Sequence, residues 1–510
     1  MKTFVRQNIL LLSFAAVALL IHLVVNAMGG YGYFRDELYY LACSEHLGWG
    51  YVDQPPLSIF ILALNRILFG DSLFALRLLP AIAAAVTVYV TGLMAREFGG
   101  NRFAQSLASV GMLASPIFLG MFTIYSMNSF DFLAWTLAAF TIVKLLKTEE
   151  TRYWIVLGVV LGLGLLNKID VLWLGFGIFL GLVLTPQRHW LKTKWPWIAG
   201  AIAFILFLPY IIWNLTHGLA HWEFINNATA QKYSSQTPMT FIVGQVILQN
   251  PINLPLWIGG LCWLLFVGDE KRFRFMGLIW LAAFFVLLIN GHSKAEYLAP
   301  AFIPLFAAGG VAFEHWLSGK LLTWLRPTYV VLIVLGGVFV APLALPVLPV
   351  ETYIRYADSI GMGPTSPEGK KLNKLPQFYA DMFGWDNMAA TVASVYQRLS
   401  AEEQAHCGIY ANNYGEAGAI DFFGKKYGLP KAISGHNSYF FWGTRGYSGD
   451  VVIIIGGNPD GHRKVFETVE QAAVITSEYA MPYENNLPVY VCRKIKVPLE
   501  EIWPSVKNFI

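Results

Sequence analysis

Charge is scarce in this chain of 510 residues: Asp, Glu, Lys and Arg together make up 13%, against 56% hydrophobic residues. An ordinary soluble domain carries about twice that charged fraction, so a cytosolic globule is excluded and a chain that crosses a membrane repeatedly is implied. Cysteine is scarce too. Four cysteines, no two spaced as CxxC, build neither a disulfide scaffold nor a thiolate metal cluster. Cys43 and Cys262 fall in or beside apolar segments, whereas Cys407 and Cys492 fall in strand-like runs of a polar tail, where they either pair or stay as two buried thiols. A net charge of +4 offers no basic surface to nucleic acid. Nor is there a phosphate-binding loop. Gly456-Gly457-Asn458-Pro459-Asp460 follows an apolar strand without the Walker or dinucleotide spacing, so a plain strand-to-helix turn is expected. Internal repeats and low-complexity tracts are missing as well.

What the chain does have is long apolar runs. Segments near 8–27, 72–95, 104–121, 128–146, 153–167, 170–185, 197–214, 252–268, 275–290, 297–314 and 328–347 predict about eleven membrane helices. The first follows Lys2 and Arg6 like a signal peptide, but its apolar run is too long for one, so a retained anchor is expected. Loops rich in Lys and Arg alternate with loops nearly free of them. The rich ones carry Lys2 and Arg6; Arg96 and Arg102; Lys144, Lys147 and Arg152; Arg188, Lys192 and Lys194; Lys271, Arg272 and Arg274; and Lys320 and Arg326. Positive loops stay in the cytoplasm, so the N-terminus is expected there and, after an odd number of spans, the tail outside.

Near residue 350 the composition shifts to Pro, Gly and charge. Strand-like runs at 408–411, 451–455, 473–476 and 488–492 alternate with helix-like stretches at 385–400, 415–427 and 462–471. The expected division is a membrane domain over 1–348 and a small extracytoplasmic α/β domain over 349–510. In the first outer segment, Phe34, Leu38, Leu41, Ala42 and Leu47 recur near helical spacing, which predicts a helix along the membrane interface. Pro55-Pro56 then breaks the chain before a second, partly embedded helix.

Polar groups gather at the outer ends of these spans: Asp36 and Glu37, Asp53 and Gln54, Asp131, Lys168 and Asp170, His217 and His221, and His292, Lys294 and Glu296. Arg35, Arg66, Arg77 and Lys232 add cations on the side that the charge rule leaves bare. Carboxylates beside cations suit proton transfer next to an anionic leaving group. They suit equally a divalent ion held by oxygen and imidazole.

RDELYYLA, then YVDQPPL, then a carboxylate opening the fourth span resemble the GT-C membrane glycosyltransferases. The likeness is to the bacterial relatives of dolichyl-phosphate-mannose protein mannosyltransferases and of the lipid A aminoarabinose transferase (glycosyltransferase families 39 and 83). The tail pattern NYGEAGAIDFFGKKYGLP with SGHNSYFFWG resembles the outer domain of one bacterial branch. The resemblance implies a mainly α, polytopic GT-C fold with interfacial helices in the first outer loop, seated in the inner membrane. It implies an inverting transfer of sugar from a polyprenyl-phosphate donor to a hydroxyl of a protein, lipid or envelope glycan. Asp36 then matches the general base and Glu37 its support, while Arg35, Lys168 and Lys294 suit the donor phosphate. Asp53, Asp131 and His217 fall where some relatives bind a divalent metal ion, the cofactor so implied. One departure stands out: the aminoarabinose transferase carries Lys where this chain has Gln54. A secondary transporter, or a non-catalytic protein that binds or assembles lipid-linked glycans, is the rival reading. Against the transporter, the charged groups cluster toward one surface and the two halves do not look alike.

Overall fold

Inside lipid a backbone can satisfy its own polar groups only as helix or closed barrel, so runs of apolar residues this long fold as helices. The computed structural model describes residues 2–267, 271–319, 321–366 and 368–510. Lys320 and the side chain of Lys2, two of the expected cytoplasmic cations, lie outside the described residues. Among the described residues, seven helices are long and apolar enough to cross a bilayer, or up to nine if each of two bent pairs counts as one span. The protein is a multi-pass membrane protein.

The count falls below eleven for local reasons. The expected span 104–121 is two helices, Arg102–Leu113 and Pro116–Met121. Pro116 has no N–H to continue the first helix, and the chain turns there. Arg152–Asn167 forms as expected but has only 16 residues, short of a full crossing. Val171–Leu184 bends by 104° into the 3₁₀ segment Pro186–Lys192. The expected span 252–268 is the second arm of another bent pair, turned by 95° from Pro238–Leu248.

The chain forms two compact units. Unit 1 comprises Met1–Gly30, Leu68–Ile212 and Ser235–Pro349, and unit 2 comprises Tyr31–Ile67, Trp213–Ser234 and Val350–Ile510. In unit 1 the helix Ile303–Trp316 is buried along most of its length and packs on Arg102–Leu113 and Leu254–Cys262. Glycine makes those crossings possible. A Cβ on Gly309 would strike the Leu256 carbonyl, one on Gly260 the Leu305 carbonyl, and one on Gly310 the Ala104 carbonyl. Small residues at helix crossings are how membrane helices gain packing where lipid is as apolar as their side chains.

In unit 2, β1 (Cys407–Tyr410), β2 (Ala432–Ile433), β3 (Val451–Ile455), β4 (Phe466–Ile475) and β5 (Leu487–Ile495) form one sheet in the order β2-β1-β3-β5-β4. β1 runs parallel to both β2 and β3, and β5 runs antiparallel to β3 and β4. The glycine pair after β3 is the plain turn expected, with φ of +74° and +83°, leading into the helix Pro459–Val465 capped by Asn458. The helix predicted over 462–471 is not there beyond Val465. FETVEQAAVI alternates and pairs with β5 instead, so the edge strand has 10 residues and begins well before the run expected at 473–476. Cys407 and Cys492 lie on strands either side of β3 and are unbridged.

Gly309→Leu is expected to lower thermal stability in detergent by at least about 1–3 kcal/mol, because the helix pair must separate to admit the side chain. An unchanged melting temperature would show that the crossing is looser than described.

Candidate active site

The helix Arg35–Glu45 follows directly on an extended Phe34. Its first turn needs partners for free N–H groups. Glu37 supplies one: its carboxylate accepts the Phe34 N–H at 2.8 Å, and the side chain is fully buried. Glu37 thereby closes the helix start. Leu38, Leu41 and Ala42 are buried, and the helix packs against Tyr414–Phe423. The glycines of NYGEAG permit that crossing. A Cβ on Gly418 would lie 2.8 Å from the Leu38 carbonyl carbon, and one on Gly415 would lie 2.6 Å from Arg35 Cγ.

Arg35 is drawn inward by this packing. Its Nη1 donates to the Tyr483 hydroxyl at 2.8 Å, and Nη2 lies 3.8 Å from both Glu368 and Asp381 carboxylates. Nε is 3.5 Å from Asp36 Oδ1, and Cζ sits 5.4 Å above the Tyr414 ring. Burial pulls its pKa down, but Asp381, Tyr414, Tyr483 and Asp36 together hold it above the usual arginine value. Lys232 approaches Glu368 at 3.8 Å from the other side.

Among these carboxylates Asp36 alone reaches solvent, with 36% of its side chain exposed against 6% for Glu368 and 1% for Asp381. Its Oδ1 accepts the Tyr414 hydroxyl at 2.8 Å. Oδ2 has no hydrogen-bond partner among the described residues. Asp381 and Asp53 are pushed up to about 6, in both cases chiefly by burial. Asp53 Oδ1 lies 2.9 Å from the Tyr39 hydroxyl, which is also 2.8 Å from Ser438 Oγ. Gln54 is fully buried, and neither end of its amide has a partner among the described residues.

The remaining expected site residues lie elsewhere. In unit 1, Lys168 Nζ is 2.7 Å from Asp170 and 3.4 Å from Asp131. Lys168 thus lies against both carboxylates, with 12% of its side chain exposed. Its Nζ also sits 5.4 Å over the Tyr297 ring, in the segment Ala295–Phe302 that Lys294 precedes. Lys294 is half-buried. His217, in unit 2, has Nδ1 2.8 Å from the Trp213 carbonyl and stacks on the Trp213 ring at 4.3 Å. No three His, Cys, Asp or Glu side chains converge to hold a metal ion among the described residues. Asp131 lies on the Lys168 ammonium, Asp53 on the Tyr39 hydroxyl and His217 on the Trp213 carbonyl.

The family model for dolichyl-phosphate-mannose-protein mannosyltransferase matches residues 53–213. An undecaprenyl phosphate-alpha-4-amino-4-deoxy-L-arabinose arabinosyl transferase of Pseudomonas fluorescens is 23% identical over 66% of this chain and 59% of its own length. A lipid A galacturonosyltransferase, RgtD, of Rhizobium johnstonii is 26% identical over 38% of this chain and 42% of its own. The chain thus spans less than two thirds of either curated relative. The crystal structure of ArnT from Cupriavidus metallidurans bound to undecaprenyl phosphate superposes with a TM-score of 0.60 at 13% identity, covering 94% of this chain and 97% of that one. Part of the chain is thus similar in sequence to the mannosyltransferase family and to the arabinosyl transferases, and the chain as a whole shares the fold of ArnT.

Sequence reasoning singled out Asp36 but not what holds it. Tyr414 and Glu416 lie in the tail pattern NYGEAG, where nothing in the sequence links them to Asp36. Glu416 and Glu484 form a buried carboxyl pair, both accepting from Asn413 Nδ2 at 2.9 Å, with Glu484 Oε2 unpartnered. Burial first of all pushes Glu416 up to about 7 and Glu484 well above the ordinary glutamate range. Folding therefore takes up protons here, and the stability present at low pH is lost as pH rises through about 7. The neutral variant Glu484→Gln should match the native protein near pH 5. At pH 8 it should melt a few °C higher, on the order of 1 kcal/mol. Melting curves with the same pH dependence in both proteins would contradict this.

Proposed function

We propose that this GT-C chain transfers a sugar from a polyprenyl-phosphate donor to a hydroxyl acceptor outside the inner membrane, with its N-terminus in the cytoplasm. The observation that carries the reading is the state of Asp36: one oxygen held, the other open, in a cluster whose remaining carboxylates are buried. In the proposed reaction Oδ2 takes the proton of the acceptor hydroxyl. The acceptor oxygen attacks the anomeric carbon, the bond from that carbon to the phosphate oxygen breaks, and the polyprenyl phosphate leaves with the electron pair. Attack opposite the leaving group inverts the sugar.

The names of the relatives support the class of donor, since one is an undecaprenyl phosphate-aminoarabinose arabinosyl transferase and another a lipid A galacturonosyltransferase. Lipid, glycan and protein acceptors all fit the proposal. Arg35, Lys168 and Lys294 remain the proposed phosphate contacts. We keep residues 349–510 as a proposed extracytoplasmic domain, working with the Asp36 segment that shares its unit. No step is assigned to a metal.

The test is release of free undecaprenyl phosphate from undecaprenyl-phosphate sugars by the purified full chain in lipid nanodiscs. Asp36→Asn should lower that rate about 10²–10⁴-fold without changing the melting temperature. Near-native turnover by this variant would rule out the assignment of the base.

A further inference from the structure

We propose that Tyr414 is a positioning residue for the transfer: its hydroxyl fixes Asp36 through Oδ1 and leaves Oδ2 aimed at the acceptor. The inference rests on Asp36 being the base.

Tyr414 begins the helix that follows β1, at the carboxyl end of the parallel strands β2, β1 and β3. In open α/β sheets that edge receives ligands, often on the free N–H groups of the helix start. Here those groups are already taken. Asn413 Oδ1 accepts the Gly415 and Glu416 N–H groups at 2.9 and 3.0 Å, and the Tyr414 N–H donates to His436 Nδ1 at 3.2 Å. The first turn of this helix has no amide left, among the described residues, for an anion from solution. It receives a carboxylate from its own chain instead, through the Tyr414 side chain.

That side chain cannot swing away. Its ring is 5% exposed and lies 4.7 Å from both the Tyr39 and His436 rings, with the Arg35 guanidinium over one face. The hydroxyl has one hydrogen-bond partner, Asp36 Oδ1. An aspartate at the first turn of a helix, 36% exposed, would otherwise sample several rotamers. A clamped phenol selects one of them. Holding a reacting group in its productive geometry is a rate effect, carried by kcat more than by KM.

The groups facing Asp36 besides Tyr414 are Arg35 on the same helix and, by charge, Asp53 and Asp381; Glu368 and Lys232 lie beyond Arg35. In the full chain in nanodiscs, Tyr414→Phe should lower kcat for undecaprenyl phosphate release about tenfold with KM unchanged. 3-Fluorotyrosine at position 414 keeps the hydroxyl in nearly the same shape and should keep kcat within about twofold of native; it serves where the Phe variant folds poorly. Tyr439→Phe removes a comparable buried bond, to Asp421, and should leave kcat in place. A native kcat in a folded Tyr414→Phe, or a loss carried by KM instead, overturns the inference while leaving Asp36 as base. Turnover retained by Asp36→Asn overturns the base itself, and Tyr414's role with it.

Discussion

A guanidinium keeps its charge at any pH the cell offers, and burying one without compensation is among the costliest things a fold can do. Arg35 is buried. Its position therefore has to be answered by anions and hydroxyls, and the structure gathers Asp381, Glu368, Tyr483 and Asp36 around it. One of those bonds joins positions 448 apart in the chain. The requirement explains why Tyr31–Ile67, which in sequence separates two membrane helices, belongs with the C-terminal sheet. The same requirement sets the character of the site. Several carboxylates surround one cation, and only the one at the rim stays open to solvent.

Unit 1 meets the same difficulty on a smaller scale. Lys168 lies between Asp131 and Asp170, so its ammonium is matched where it enters the apolar helices. Buried ion pairs of this kind add little net stability, but removing one partner leaves an unmatched charge, which is strongly unfavourable. That asymmetry suits Lys168 and its neighbours to holding the Asn167–Asp170 turn in register.

The sequence made the helical membrane part readable because apolar length is a local property. Met127–Thr148 and Trp195–Thr216 fall close to where hydropathy puts them. Reading failed where a break is subtle, as at Ser115-Pro116, or where a polar strand resembles a helix, as in FETVEQAAVI. Asp36 was legible because a charged triplet directly after an apolar run is conspicuous. Tyr414, Asp381, Glu368 and Tyr483 were not, since nothing periodic links residue 35 to residues 368–483. Gly415 and Gly418 were the one available clue: glycines three apart in a helix mark a close neighbour, though not which neighbour.

The discontinuous make-up of unit 2 has a consequence for biosynthesis. The Asp36 segment leaves the ribosome early, whereas the strands and helices that enclose Arg35 are translated last. Until then Arg35 remains hydrated, and its helix lacks the surface it packs against. Contacts between such distant positions form slowly, because a long loop must close first. A nascent chain halted before residue 400 would carry the aspartate without the phenol that steadies it, so the order of synthesis itself delays the assembled centre until the tail has folded.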